Sequence, residues 1–557
     1  MSLETGFAAL RSSSRAVAAA LVIALGSLAA LLGTGFWGYS HDDAFITYRY
    51  ADQWARGNGL TFNTGEHVLG TSAPGYALLL GFLSRATGFL GIGVPEWGTM
   101  VSLAAILLLS WVLAAGLASA PVSLRLGVPL LFGVGALLWR WNLEVLGSEA
   151  LLVVSLVAFG AYLVFLKEES ALGGLALASA MILRLDAALA AASIGIVLWL
   201  SRRRFPGKFA IAGLGPLAFW LGGLYSRFGT WIPTTLAAKR SEYSGASAAY
   251  SLAEWTWLRR SLPLSGCVAL LVLACVGGFV CGKHGLWKHP AVAALALWLL
   301  AHEIVYRSLR VPFAPWYHEA LVNAVLILAA LGAVTLGRAL LFWQRHREET
   351  LVPTLVAALL LSPVLAPSVS YVWAQWGRPP DPRFEIYRTI GQYLSEHARP
   401  QSTVVAVEVG IIGYFSKCSM LDLAGLVTPG VLQARSEGRV GRFVEGSNPD
   451  YIVDVPAFRI NALAFLSDAG VSEPYRSVHE FRPPNGAEPF KLLERRQEPR
   501  QVQSILSASG AKAGRPPDAR RRGRCGLRVA GVSRGKRATA VSNLFTRRGR
   551  SRRRALR

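Results

Sequence analysis

The sequence predicts an all-α polytopic membrane bundle of about eleven transmembrane helices, followed by a small α/β domain on the extracytoplasmic side. Three observations predict it. Of 557 residues, 53% are hydrophobic and only 16% are charged, and the mean hydropathy is +0.39, too apolar for a soluble chain of this length. Through residue 377, apolar runs of about 20 residues follow one another with short polar connections. From Asp381 to about Glu494 that pattern stops, and Pro/Gly turns separate β-type runs from an amphipathic one. Seventeen Trp and sixteen Tyr suit the interfacial belts of such a bundle.

Arg11 and Arg15 precede the first run, 16–39, which is longer than a signal-peptide core and predicts an uncleaved first helix entered from the cytoplasm. Further runs are 76–92, 97–120, 126–141, 147–166, 171–200, 209–225, 264–280, 291–305, 321–342 and 351–373. Two leave alternatives open. Run 76–92 contains Arg85 and several glycines and can re-enter or lie at the interface, while 171–200 contains Arg184 and Asp186 and reads as one span or two short ones. Sidedness comes from the basic clusters: 202–204 with Lys208, 283–288, and 345–347 belong in the cytoplasm. An even number of spans must therefore separate Arg15 from Arg202. Charges are expensive in mid-bilayer, so 171–200 is read as a hairpin with Arg184 at an outer turn and 76–92 as less than a span, which gives eleven. The loop 40–75, segments 141–149, 227–261 and 306–318, the Arg184 turn and everything after Trp373 then share the outer side. They hold the polar residues suited to a site, whereas the cytoplasmic connections are short and basic.

Segments 403–408 and 451–455 read as buried strands and 384–396 as an amphipathic helix. The predicted organisation is a transmembrane domain over 1–377, an extracytoplasmic α/β domain over 378–497 that lines a groove or caps the bundle, and a disordered basic tail over 498–557. The tail holds 18 Lys/Arg against 2 Asp/Glu, so +16 of the chain's +24 charge lies there. A basic tail outside the cytoplasm has no nucleic-acid target; anionic lipid or wall polymer is one partner for it, and a mis-called terminus is the other reading. The five cysteines show neither C-x-x-C spacing nor a His partner pattern, so no metal site or disulfide framework is indicated.

The candidate chemistry sits where the first span should emerge into water: His41-Asp42-Asp43-Ala-Phe-Ile-Thr-Tyr-Arg49-Tyr-Ala-Asp52, then Gly57-Asn-Gly59, Asn63-Thr-Gly-Glu66 and Pro74. A carboxylate at a membrane exit stays ionised cheaply and still reaches a lipid headgroup. On a helix, Asp42 and Arg49 lie seven apart on one face, and Asp43 shares the next with Thr47 and Tyr50. Helix capping is the plainer use of an Asp-Asp pair.

This stretch resembles the first extracytoplasmic loop of membrane glycosyltransferases of the C type (GT-C), and is most similar to the actinobacterial terminal arabinofuranosyltransferases of cell-wall synthesis. The match runs ungapped for over thirty residues, with Leu69 where that family usually has Glu and Ala73 where it usually has Ser. The resemblance implies a GT-C bundle that takes a sugar from a polyprenyl-phosphate donor to a cell-envelope glycan or glycolipid acceptor, with inversion, on the extracytoplasmic face. It makes Asp42 or Asp43 the general base and the other an orienter of the acceptor or of a divalent cation, with Asp42 slightly preferred for the face it shares with Arg49; no metal ligands are assigned.

Substrate-binding candidates follow from the same resemblance. Arg49, Lys239 and Arg307 are the phosphate candidates; Lys239 lies in Phe228-Gly-x-x-Ile-Pro233-x-Thr-x-x-Ala-Lys239, similar to a second family motif. Gly147-Ser-Glu149-Ala resembles the family's Gly-Leu-Glu-Thr, Arg184-Leu-Asp186 echoes an Arg-Pro-Asp/Glu-Gly turn without its Pro and Gly, and Glu66 belongs to the first-loop motif. Tyr317 and His318, in Trp316-Tyr317-His318-Glu319, are candidates to line the donor cavity. The plainer uses are headgroup anchoring for Lys239 and Arg307, a local ion pair for Arg184 and Asp186, N-capping for Glu149, and belt positions for Tyr317 and His318. Two other classes compete: a transporter or flippase of lipid-linked sugars, which would favour internal repeats that the halves do not show, and a non-catalytic envelope scaffold.

Overall fold

The computed structural model describes residues 21–242, 250–309, 311, 313–341, 352–483 and 486–496. Arg11 and Arg15, the basic cluster 345–347 and the tail 498–557 lie outside them.

Among the described residues six helices are long and apolar enough to cross a membrane: Val94–Gly116, Leu185–Arg202, Gly207–Phe228, Leu264–Lys283, Pro290–Ser308 and Glu319–Leu340. A bent pair, Val352–Leu360 and Ser362–Gln375, forms a broken span or a re-entrant loop; its helices meet at 73° where Pro363 cannot continue the preceding hydrogen-bond ladder. Leu21–Gly35, Val122–Leu138, Ala150–Phe165 and Ser170–Leu183 are shorter apolar helices. Among the described residues these six or seven candidates are fewer than the eleven expected: three of the expected spans are helices of 10–17 residues, and the first run, 16–39, is described only from residue 21. Run 76–92 forms a 13-residue helix, Pro74–Ala86, and a short turn, Gly88–Leu90. Run 171–200 is broken at Arg184, whose extended backbone (φ −152°) ends one helix and begins the next.

Between the first helix and the next apolar one stands Asp42–Ala55, polar at its start and buried along most of its length. Acids in its first turn complement the positive end of the helix dipole. Phe45, Tyr48, Tyr50 and Ala51 are fully buried, and Tyr48 and Tyr76 donate their hydroxyls to the Gly147 carbonyl at 2.9 and 3.0 Å. The loop 40–75 is thus tied to the bundle by buried hydrogen bonds, which are costly to leave unmade.

The C-terminal region is a five-stranded sheet with helices: β1 (Thr403–Ala406), β2 (Ser419–Asp422), β3 (Tyr451–Asp454), β4 (Tyr475–Phe481) and β5 (Phe490–Arg495), in the order β2-β1-β3-β5-β4. β1 runs parallel to β2 and β3, with Val404 opposite Met420 and Val405 opposite Ile452; β5 runs antiparallel to β3 and β4. Side chains alternate across a strand. Val404 and Ala406 accordingly join the core shared with the bundle, while Val405 joins Leu421, Val431, Val444 and Ile452 in a second core. The expected helix is present as Phe384–His397.

Candidate active site

The polar cavity lies where Asp42–Ala55, the helix Thr234–Glu242, the turn Pro315–Tyr317 and the C-terminal sheet converge. It encloses about 250 Å³ and is lined by His41, Asp42, Asp43, Lys239, Trp316, Tyr317, Arg383 and Glu408, with apolar groups between them. Each contributor is fixed locally. Thr234 begins its helix after Pro233 and donates its backbone N–H to the Leu69 carbonyl at 3.0 Å, which sets Lys239 against the first loop. Pro315–Tyr317 is a tight 3-10 turn between two bundle helices, and His41 stacks on Trp316 with ring centres 4.3 Å apart.

The adjacent acids have different partners. Asp43 pairs with Lys239 at 2.8 Å, and Lys239 also donates to the Tyr317 hydroxyl at 2.7 Å. Burial alone would push Asp43 up, but the Lys239 charge and hydrogen bond outweigh it and hold the carboxyl below its ordinary range. Lys239 is raised in turn, the pull of Asp43 and Tyr317 exceeding the cost of burial. Asp42 instead accepts backbone N–H groups from Gly410 and Ile411, at 3.1 and 2.8 Å, at the start of the helix Gly410–Ser416. Burial, then the neighbouring Glu408 charge, push it up to about 8, against those hydrogen bonds. His41 is driven down to about 4 by burial and stays neutral. Asp43 is therefore the ionised acid of the pair, and it stands beside a cation in the cavity.

The other expected site residues divide. Tyr317 is in the cavity, and the Arg184 guanidinium lies 5.6 Å from its ring centre. Arg184 pairs with Asp186 at 2.6 Å, lies 3.6 Å from Glu149, and donates to the Trp316 carbonyl at 3.0 Å and the Tyr306 hydroxyl at 3.1 Å; the local ion pair thus also braces the Trp316–Tyr317 turn. Glu149 is buried beside it. Arg49 is put to a different use from the phosphate contact expected of it. It is buried, donates to the carbonyls of Phe62 at 2.8 Å, Cys418 at 2.5 Å and Gly413, and is not among the described residues lining the cavity. Its shared face with Asp42 serves the C-terminal domain. Glu66 is exposed and accepts from Asn63 at 3.1 Å. Arg307 lies 3.4 Å from Glu303, and buried His318 lies 3.0 Å from Glu303 and stacks on Phe313; neither side chain lines the cavity. Among the described residues no cluster of three or more His, Cys, Asp or Glu is placed to hold a metal ion.

Sequence reasoning missed Arg383, Glu408 and Phe458, all on the C-terminal side of the cavity. The available signal was topological: Glu408 follows β1 at the carboxyl end of a parallel strand pair, where open α/β sheets place their ligands.

A second, apolar groove of about 420 Å³ runs beside the cavity between Ile232, Pro233, Leu236, Leu189, Val305 and Leu309, and Lys239 and Tyr317 line both.

Residues 380–502 match a family described as a domain of unknown function (DUF8728). No curated protein matches the chain in sequence. In structure it is similar to ArnT from Cupriavidus metallidurans bound to undecaprenyl phosphate, with TM-score 0.52 and 12% identity over 85% of this chain and 97% of that one. The apo state of the same protein aligns at TM-score 0.50 and 11% identity, over 88% and 98%. The Archaeoglobus fulgidus oligosaccharyltransferase tethered with an acceptor peptide aligns at 0.47 and 11%, over 85% and 74%. At these identities the likeness to ArnT is one of fold, and with its apolar helices the chain is an integral membrane protein.

Proposed function

We propose that the protein is a membrane glycosyltransferase that moves a sugar from a polyprenyl-phosphate donor to a hydroxyl of a cell-envelope glycan or glycolipid. The observation that carries this is the meeting of the two cavities at Lys239 and Tyr317. A polyprenyl phosphate has one apolar and one anionic part, and here an apolar groove ends at a cation that opens into a polar cavity containing a carboxylate. In this reading the groove takes the isoprenoid and Lys239 and Tyr317 hold the leaving phosphate. Asp43 accepts the proton of the attacking hydroxyl, with inversion at C1. A bound phosphate competes with Asp43 for Lys239, so donor binding itself frees the base. The shared fold with a protein solved with undecaprenyl phosphate supports the donor class.

The finer parts of the reading come from the sequence: arabinofuranose as the sugar from the first-loop resemblance, and eleven spans, an extracytoplasmic site and a division into 1–377, 378–497 and a basic tail from the apolar runs, basic clusters and composition. The test is to supply purified protein with a polyprenyl-phosphate sugar and follow release of polyprenyl phosphate. Release that depends on protein and acceptor supports the reading; no release with any sugar tried refutes it.

A further inference from the structure

We infer that Arg383 and Glu408, on the C-terminal wall of the cavity, bind sugar hydroxyls and so make the C-terminal domain the sugar-recognising side of the site. This rests on the transferase reading only for what carries the sugar.

The C-terminal domain serves one compartment. Arg383, Glu408 and Phe458 line the polar cavity, whereas no described residue beyond Tyr317 lines the apolar groove. The pair is also held in place. Arg383 donates from Nε and Nη2 to Asp381 at 3.0 and 2.8 Å and from Nη1 to Glu408, whose other oxygen accepts the Tyr387 hydroxyl. Locked side chains lose little freedom when a ligand arrives. Capacity remains on both partners: a guanidinium has five N–H groups, of which three are used here, and a carboxylate has about four lone-pair sites, of which two are used. Arg383 is 45% exposed at its side chain and Glu408 22%, so the spare groups are accessible. A fixed donor beside a fixed acceptor matches a sugar's neighbouring hydroxyls, each of which both donates and accepts. Phe458 adds apolar ring surface on the same wall. An ion pair needed only to hold the domain together would require no place in the cavity wall.

The hydroxyls belong either to the donor sugar or to the acceptor, and one experiment with two arms separates these. In the first, saturation-transfer NMR is recorded on the solubilised full chain with a panel of methyl pentofuranosides and methyl hexopyranosides. Wild type is expected to bind at least one glycoside, and Glu408→Gln and Arg383→Lys to weaken it at least tenfold while their melting temperatures stay near wild type. In the second, the same variants are given a polyprenyl-phosphate sugar. A raised KM for the glycoside acceptor with hydrolysis of the donor retained assigns the hydroxyls to the acceptor; loss of hydrolysis as well assigns them to the donor sugar. Wild-type protein that binds no glycoside, or variants that bind it as wild type does, overturn the inference. Glycoside binding without any turnover of donor would sink the transferase reading and leave this one standing.

Discussion

Asp42 and Arg49, seven residues apart on one helix, take opposite ends of a single short helix of the C-terminal domain. Asp42 accepts the N–H groups of Gly410 and Ile411 at its start, and Arg49 donates to the carbonyls of Gly413 and Cys418 toward its end. The Asp42 carboxyl satisfies N–H groups left free at the helix N-terminus, and a cation at the C-terminus favours the helix dipole. Asn63 adds two bonds to Met420, at 2.9 Å each. The first loop thereby grips the domain whose residues form one cavity wall.

Replacing Arg49 by Leu should therefore loosen that grip. Three buried carbonyls lose a charged donor, at about 1.5–3 kcal/mol for a hydrogen bond to a charged group. Hydrogen exchange should show reduced protection over 410–420 while the bundle helices exchange as in wild type. Unchanged protection there would contradict the clamp.

The adjacent acids should give opposite pH signatures. Asp42 is raised to about 8 by burial and by Glu408, so between its unfolded value near 4 and that value the folded state holds the extra proton. Stability must then fall as pH rises through this window. Asp43 is lowered, so its contribution is present above the unfolded value and is lost only as pH falls through the folded one. Melting curves of the solubilised protein from pH 4 to 9 should show Asp42→Asn gaining on wild type as pH rises, and Asp43→Asn showing no such trend.

Tyr317→Phe removes one hydrogen bond to Lys239 and, in the proposed reading, one donor to phosphate. At about 0.5–1.5 kcal/mol for a neutral bond, donor affinity should drop roughly two- to tenfold, and Lys239→Met should cost more. A titration with polyprenyl phosphate alone reads this directly; equal affinity in all three proteins would remove Lys239 and Tyr317 from the phosphate site.

Much of this architecture was legible because apolar runs and helix period are local properties. The break at Arg184 was foreseen from the cost of charge in a bilayer, and β1, β3 and the helix Phe384–His397 from their periodicities. β4 and β5 were not, since Tyr475–Phe481 and Phe490–Arg495 are partly exposed and carry charges that interrupt any apolar run. Lys239, singled out through its motif, lines the cavity. The division of labour between Asp42 and Asp43 was hidden: it depends on Gly410 and Ile411, more than 360 residues away, which no spacing rule connects to the first loop. The use of Arg49 was hidden for the same reason, two of its three carbonyl partners, Gly413 and Cys418, being equally remote.

The central claim, a sugar transfer in which Asp43 takes the proton beside Lys239, is tested most directly by the transfer rate of Asp43→Asn with a saturating polyprenyl-phosphate sugar and its acceptor. Loss of general-base assistance should lower kcat by about 10²- to 10⁴-fold with donor binding retained. Transfer at the wild-type rate would contradict it.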